Sequence, residues 1–414
     1  MSMSPRHILV VNVQGHGHVY PSLGLVGELA RRGHRVSYLT GPAFAPEVTA
    51  AGATPVLYKS EFDDFHVPDV VGEDDAETQL HLVYVRENVA ILRAAQEALR
   101  DDPPDLVAYD IMPFLAGRLL AKHWDRPAVR LNGGFAENEH YSMFEALWAS
   151  HGHRHPAEVE AVNTVLVDLL AEYGISTPVK EFWREIEELN IIFLPRSYQI
   201  APDTFDHRFF FAGPNFTGRS QGAHWQPPRP GVPVVLVSLG NTFNEHPEFF
   251  KACAEAFADS PWHVVMAIGR FLDPETLGPL PPNVETHAWI PFHAVLEHAT
   301  VCLIQGTTGA TMEAMDLGVP LVLMPHFATE AAPFAHRTVE LGLGYELPAD
   351  QIDPAGIRAV VDRLAADTVV RQRVLRMQRD VQASGGAAGA ADEVETYIRR
   401  HGRFSPDGDE GFPP

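Results

Sequence analysis

Residues 302–313 read Cys302-Leu-Ile-Gln-Gly-Thr-Thr-Gly-Ala-Thr-Met-Glu313, and their order decides the fold. The run 301–304 is apolar and stops at Gln305. A glycine-spaced turn follows, Gly306 to Gly309, then a series of strong helix formers over 310–317 closed by Gly318, then Pro320-Leu-Val-Leu-Met324. Strand, glycine turn, helix and strand in that order predict the βαβ unit of an open parallel sheet. Glycines strip side chains from the start of the helix, where free backbone N–H groups and the helix dipole favour a phosphate. Small residues also serve close packing in βα turns that bind nothing, so the segment alone leaves both readings open.

Outward from this segment, apolar runs alternate with helical patterns in both halves, which predicts α/β layers. Strands are expected at 7–13, 35–40, 55–58, 106–109 with Asp110 at the end, 129–131, 191–195 and 208–211. Helices are expected at 21–32 and 80–100, and 157–190 reads as mostly helical. Residues 213–230 hold four prolines, several glycines and no sustained period, the mark of a linker. A second series begins with a strand at 234–239. It runs through a helix at 247–257, a strand at 263–268 and the opening segment to helices at 354–366, 368–383 and 388–400. The expected division is a domain at 1–212, a linker at 213–230, a domain at 231–386, a C-terminal helix at 387–402 and a disordered tail at 403–414.

The 414 residues are 45% hydrophobic and carry 31 Lys+Arg against 54 Asp+Glu, a net charge of −23. That field repels a polyanionic backbone and argues against nucleic-acid binding. Cys253 and Cys302 lie far apart in apolar stretches without metal-type spacing, so they read as small buried hydrophobes in a reducing compartment. The N-terminus lacks the profile of a signal peptide and no apolar run reaches membrane-spanning length. A cytoplasmic protein with no membrane span is expected.

The first strand leads into Gln14-Gly-His-Gly-His-Val-Tyr-Pro21. It starts like a dinucleotide fingerprint, but Tyr20 holds the third glycine position, and the second strand ends at Leu39-Thr40-Gly41 without a ribose-binding acid. A nicotinamide or flavin site is therefore not expected. His16 and His18 fall at the carboxyl end of a parallel strand, where open α/β sheets place ligands. A histidine there can serve as a base near neutral pH, or simply hydrogen-bond its own turn. Asp110 ends another strand of the same sheet. A carboxylate on one imidazole nitrogen fixes the tautomer while the other nitrogen takes a proton, so His18 and Asp110 form a candidate dyad.

Three other clusters carry less. His151-Gly-His-Arg-His155 lacks acidic or cysteine partners at useful spacing and is not expected to bind metal. Asp63-Asp64 and Glu73-Asp-Asp-Ala-Glu77 read as solvated acidic patches on a loop. Neither G-x-S-x-G nor G-x-x-x-x-G-K-[ST] occurs, which argues against an α/β-hydrolase and a P-loop NTPase.

The two turns, the linker and the second α/β half together make residues 5–402 resemble a two-domain glycosyltransferase of the GT-B type. Within that group the chain resembles the macrolide and enediyne antibiotic glycosyltransferases of actinomycetes, and in it the calicheamicin aminopentosyltransferases. The stretches that carry this are 12–21, 84–95 and Pro325-His-Phe-Ala-Thr-Glu-Ala-Ala-Pro333. The resemblance implies two Rossmann-like domains facing across a cleft, with the last helix packing back on the first domain. It implies His18 as base and Asp110 as its partner. Gln305, Gly306, Gly309, Ala310 and Thr311 would form the pyrophosphate loop, and Glu313 would be the ribose acid. Trp289 and Ile290 would hold the base, Gly240 and Asn241 would face the diphosphate, and Glu330 would read the donor sugar.

The resemblance further implies an inverting transfer of a deoxysugar, an amino sugar among the candidates, from a TDP-sugar to a hydroxyl of a hydrophobic natural product. No cofactor and no metal are implied, and the chain could pair with a second copy of itself. Two alternatives stand beside it: a UDP-glucose-dependent enzyme that inactivates a macrolide, and a catalytically silent sequestering protein. Two positions depart from the family. Glutamine replaces the usual histidine at 305, and Glu330 is followed by alanines where an acidic-glutamine pair is common.

Overall fold

The computed structural model describes residues 3–63, 74–143, 156–216, 224–240, 244–327 and 331–401. Its strands fall into two wholly parallel sheets, one in each half of the chain. The first has the order β3-β2-β1-β4-β5-β6-β7. In chain order these are β1 His7–Val11, β2 Arg35–Thr40, β3 Thr54–Leu57, β4 Leu106–Asp110, β5 Ala128–Asn132, β6 Leu189–Ile192 and β7 Phe209–Phe211. The second has the order β10-β9-β8-β11-β12-β13. Its strands are β8 Val234–Ser238, β9 His263–Ala267, β10 Val284–His287, β11 Ala299–Ile304, β12 Leu321–Leu323 and β13 Gly344–Glu346. This is the α/β, two-sheet architecture expected of the GT-B type.

Helices cover both faces of each sheet, and so β1, β4 and β8 are buried along their whole length. Such strands read as continuous apolar runs. β10 (Val-Glu-Thr-His) and β13 (Gly-Tyr-Glu) are short edge strands with no such run, and no strand was expected there.

In both sheets the order reverses beside the strand that opens the half. β1 lies between β2 and β4, and β8 between β9 and β11. Ligand crevices of open α/β sheets form at such switch points, outside the carboxyl ends of the strands. β1 leads to His18 and β4 ends at Asp110; β8 leads to Gly240 and β11 to Gln305.

The first helix corrects an expectation. It runs His16–Arg31, five residues ahead of the expected start, and Pro21 lies inside it. Gly15 caps it in extended backbone and its carbonyl accepts from the N–H groups of His18 (3.1 Å) and Val19 (2.9 Å). Proline was read as the start of the helix because it suits the first turn; this deep, it leaves only the carbonyl of Gly17 without a helical donor. Gly133 fills that spot from the end of β5, so close that a Cβ on it would lie 3.1 Å from the Gly17 oxygen. Asp74 to Glu77, expected in a loop, begin the helix Asp74–Leu99.

The last helix, Gly386–His401, buries Ala390, Ala391, Val394 and Ile398 against Ile8, Leu25, Val26 and Leu29 of the first half. Arg32 fixes it through Asp392 (2.6 Å). The chain therefore returns to the domain it started from. Cys253 and Cys302 are buried free thiols. Among the described residues no helix is long and apolar enough to cross a membrane. The acidic stretch 64–73, the histidine tract 151–155 and the tail from 402 lie outside the described residues.

Candidate active site

His18 sits in the first turn of its helix, and its Nδ1 lies 2.9 Å from Oδ1 of Asp110. Asp110 is 2% exposed and the same oxygen accepts from the backbone N–H of Met112 (3.0 Å). A carboxylate held this way accepts the Nδ1 proton, which places the imidazole's lone pair on Nε2. Asn12 steadies the turn from beneath, donating to the carbonyl of His18 (2.9 Å) and to the Tyr38 hydroxyl (2.8 Å). The imidazole is one-third exposed, so a substrate can reach it. Burial alone would lower the His18 pKa, but the charge of Asp110 and the hydrogen bond to it outweigh burial and hold it above 6.5.

The second turn leaves β11 at Gln305, which is 4% exposed and whose Oε1 lies 3.5 Å from where a Cβ on Gly240 would stand. Gly306 has φ +106, open to glycine and strained for any other residue, and a Cβ there would come within 2.9 Å of the Ala335 Cβ. The helix Thr308–Leu317 then starts two residues before its expected position. Gly309 and Ala310 lie half-open in its first turn, whereas Thr311 and Glu313 (5% exposed) are buried. The Thr311 hydroxyl and Oδ1 of Asn244 have no hydrogen-bond partner among the described residues, which leaves polar capacity beside this turn. Asn244 donates to the carbonyl of Gly240 (3.0 Å).

After β10, Trp289 stands 63% exposed while Ile290 is 5% exposed in the core. The two neighbours therefore differ in exposure, with the Trp289 ring open to solvent and Ile290 part of the core. Asn241 and Glu330 lie outside the described residues.

The helices His16–Arg31 and Thr308–Leu317 touch each other, so the helices that follow the two turns meet where the two halves of the chain come together. Beside them Phe334 stacks on Phe135 (4.5 Å between ring centres) and Phe135 on Tyr198 (5.7 Å). None of these three aromatics, nor Asn12, stood out in the sequence. Asn132-Gly-Gly-Phe135, at the end of β5 in the sheet whose β1 leads to His18, was the available signal. Among the described residues no group of three His, Cys, Asp or Glu side chains could hold a metal ion.

Two parallel α/β sheets, each with a turn at its switch point, and a C-terminal helix that returns to the first half form the architecture expected of the GT-B type. The NDP-glycosyltransferase YjiC of Bacillus subtilis (strain 168) is 35% identical over 400 residues, 96% of this chain and 99% of the relative. The oleandomycin glycosyltransferase of Streptomyces antibioticus is 33% identical over 98% of this chain and 94% of its own length. The crystal structure of CalG4, the calicheamicin glycosyltransferase, superposes with a TM-score of 0.89 at 70% identity, covering 98% of this chain and all of the other. Residues 258–396 match the family model of the erythromycin biosynthesis protein CIII-like C-terminal domain. The chain belongs to the antibiotic glycosyltransferase family of the GT-B type, and it is an enzyme.

Proposed function

We propose that the enzyme moves a deoxysugar, with an amino sugar among the candidates, from a TDP-sugar to a hydroxyl of an enediyne or macrolide natural product, with inversion. The observation that carries this is the His18–Asp110 pair, its histidine on a helix packed against the helix of the Gln305 turn. The 70% identity to a calicheamicin glycosyltransferase supports the acceptor class. Residues 1–212 would hold the acceptor and 231–386 the donor. His18 Nε2 removes the hydroxyl proton while Asp110 orients the ring and balances its charge. The acceptor oxygen forms its bond to the anomeric carbon as the bond to the diphosphate breaks. Backbone N–H groups at the start of Thr308–Leu317 stabilise the departing charge, with no metal or other cofactor. Buried free thiols suit a reducing cytoplasm.

The match to the oleandomycin glycosyltransferase favours a second reading, UDP-glucose transfer to a macrolide. Thermal melting with TDP, UDP or NAD separates the readings. At about 100 times Kd a ligand of the native state adds about 2.7 kcal/mol. TDP is therefore expected to raise the midpoint by several degrees, UDP by less and NAD not at all. A larger shift with UDP supports the second reading, and indifference to both contradicts the proposal.

Gln305 can donate to the diphosphate but cannot carry charge. A charge-assisted hydrogen bond contributes about 1.5–3 kcal/mol against about 0.5–1.5 for a neutral one. Gln305→His is expected to tighten TDP binding by roughly fivefold to tenfold in calorimetry, an increment of about 1 kcal/mol. Weaker binding would contradict this account of position 305.

A further inference from the structure

The helix Ala332–Glu340 touches both sides of the cleft, although the chemistry proposed above gives it no task. On the donor side, Ala335 covers Gly306, with room for no Cβ between them. On the acceptor side, the Phe334 ring stacks on Phe135 at 19° between planes, and its Cζ stands 3.2 Å from where a Cβ on Gly134 would be. The neighbouring Gly133 packs against the carbonyl of Gly17, the residue before His18. Asn132 holds this loop rigid, accepting from the N–H of Gly134 (2.7 Å) and donating to the carbonyl of Phe135 (2.7 Å).

The helix is also tied to the first domain by hydrogen bonds. The hydroxyl of Tyr198 donates to the carbonyl of Phe334 (2.8 Å), and Arg337 donates to the carbonyls of Tyr198 (3.0 Å) and Gln199 (2.8 Å). Gln199 in turn binds the backbone of Ala136 through both ends of its amide. Gly306, Ala335, Phe334, Gly134, Gly133 and Gly17 thus form a continuous line of close contacts from one turn to the other. Close-packed interiors transmit strain because they have little space to absorb it.

We propose that Phe334 is a positioning residue that transmits occupancy of the diphosphate turn to the segment bearing His18. The inference rests on the reading of the Gln305 turn as the diphosphate site. A ligand that fixes Gly306 fixes Ala335 with it. The hydrogen bonds of Tyr198 and Arg337 keep the halves together, so the constraint passes into the Phe334–Phe135 stack and on to Gly17. Coupling of this kind shows as a response at the far turn to a ligand at the near one.

Amide hydrogen exchange with TDP as the probe provides that measurement. In the wild-type enzyme TDP is expected to slow exchange both in a peptide spanning 303–313 and in one spanning 12–22. In Phe334→Ala the protection at 303–313 should persist while the effect at 12–22 falls to within about twofold of the free protein. Transfer, read as kcat/KM, should fall about tenfold with TDP affinity unchanged, the split expected of lost orientation. Phe334→Leu keeps the apolar volume and loses the flat ring. It serves where the alanine variant folds poorly, and the same loss at 12–22 is expected. Protection at 12–22 that survives both substitutions, or that is absent from the wild type while 303–313 is protected, overturns the inference and leaves the proposed function standing. No protection at 303–313 in the wild type overturns both.

Discussion

His18→Ala is expected to lower kcat/KM for sugar transfer by about 10³-fold, within the 10²–10⁴ that a positioned general base contributes. The affinity for TDP should stay within about twofold, because the ring lies across the cleft from the Gln305 turn. The substitution should leave the fold intact. Asn12 holds the turn through the backbone carbonyl of His18, and Asp110 keeps its bond from the N–H of Met112. Asp110 loses its imidazole partner, so some stability is lost, and activity is compared at a temperature well below both midpoints. Single-turnover transfer together with TDP calorimetry on the same protein separates the two quantities. Turnover that survives within tenfold would remove His18 from the role of base.

The fold was legible where burial on both faces forces an uninterrupted apolar run. β1, β4, β8 and β11 are of that kind, and the helix Pro247–Phe257 has the bounds expected from its pattern. β10 and β13 were not legible, because a short edge strand needs no apolar run and is held by its neighbour. The start of the first helix was misplaced because proline usually opens a helix. Here Gly133 packs against the carbonyl of Gly17, to which Pro21 has no N–H to donate, and that contact comes from more than a hundred residues away.

The site divides along the same line. His18 and Asp110 stand 92 positions apart and meet at 2.9 Å. Each ends or follows a strand, and adjacent parallel strands bring their carboxyl ends together, so the pairing could be anticipated. Ile290 could not be separated from Trp289, since its burial depends on how β10 ends against the core. The Phe135–Phe334 stack was invisible for a related reason: it joins two domains whose apposition no local pattern encodes. What the sequence carries best is which strand end bears a reactive group, and what it carries least is how the two domains meet.

Asp110→Asn is expected to lower the plateau of kcat/KM by about 10²–10⁴-fold and to move its acid limb to lower pH. The two effects have separate causes. A base must be neutral to accept a proton, and burial, which lowers the His18 pKa, is outweighed by the charge and hydrogen bond of Asp110. The wild-type limb in kcat/KM, which reports the free enzyme, therefore lies above pH 6.5. Asparagine removes the charge and leaves only a neutral hydrogen bond against desolvation, so the limb of the variant moves to lower pH. The Met112 N–H keeps the amide oxygen in the place of Oδ1, so the plateau falls because a neutral amide no longer balances the imidazolium that forms as His18 takes the proton. Stability follows the same linkage. A raised folded-state pKa stabilises the fold fully below 6.5, and this contribution is lost as pH rises through the raised value. The variant should accordingly be destabilised more at about pH 6 than at about pH 9, read from denaturant midpoints. A limb that does not move would show that some group other than His18 sets it, and a plateau within tenfold of wild type would show that the charge of Asp110 does not support the imidazolium.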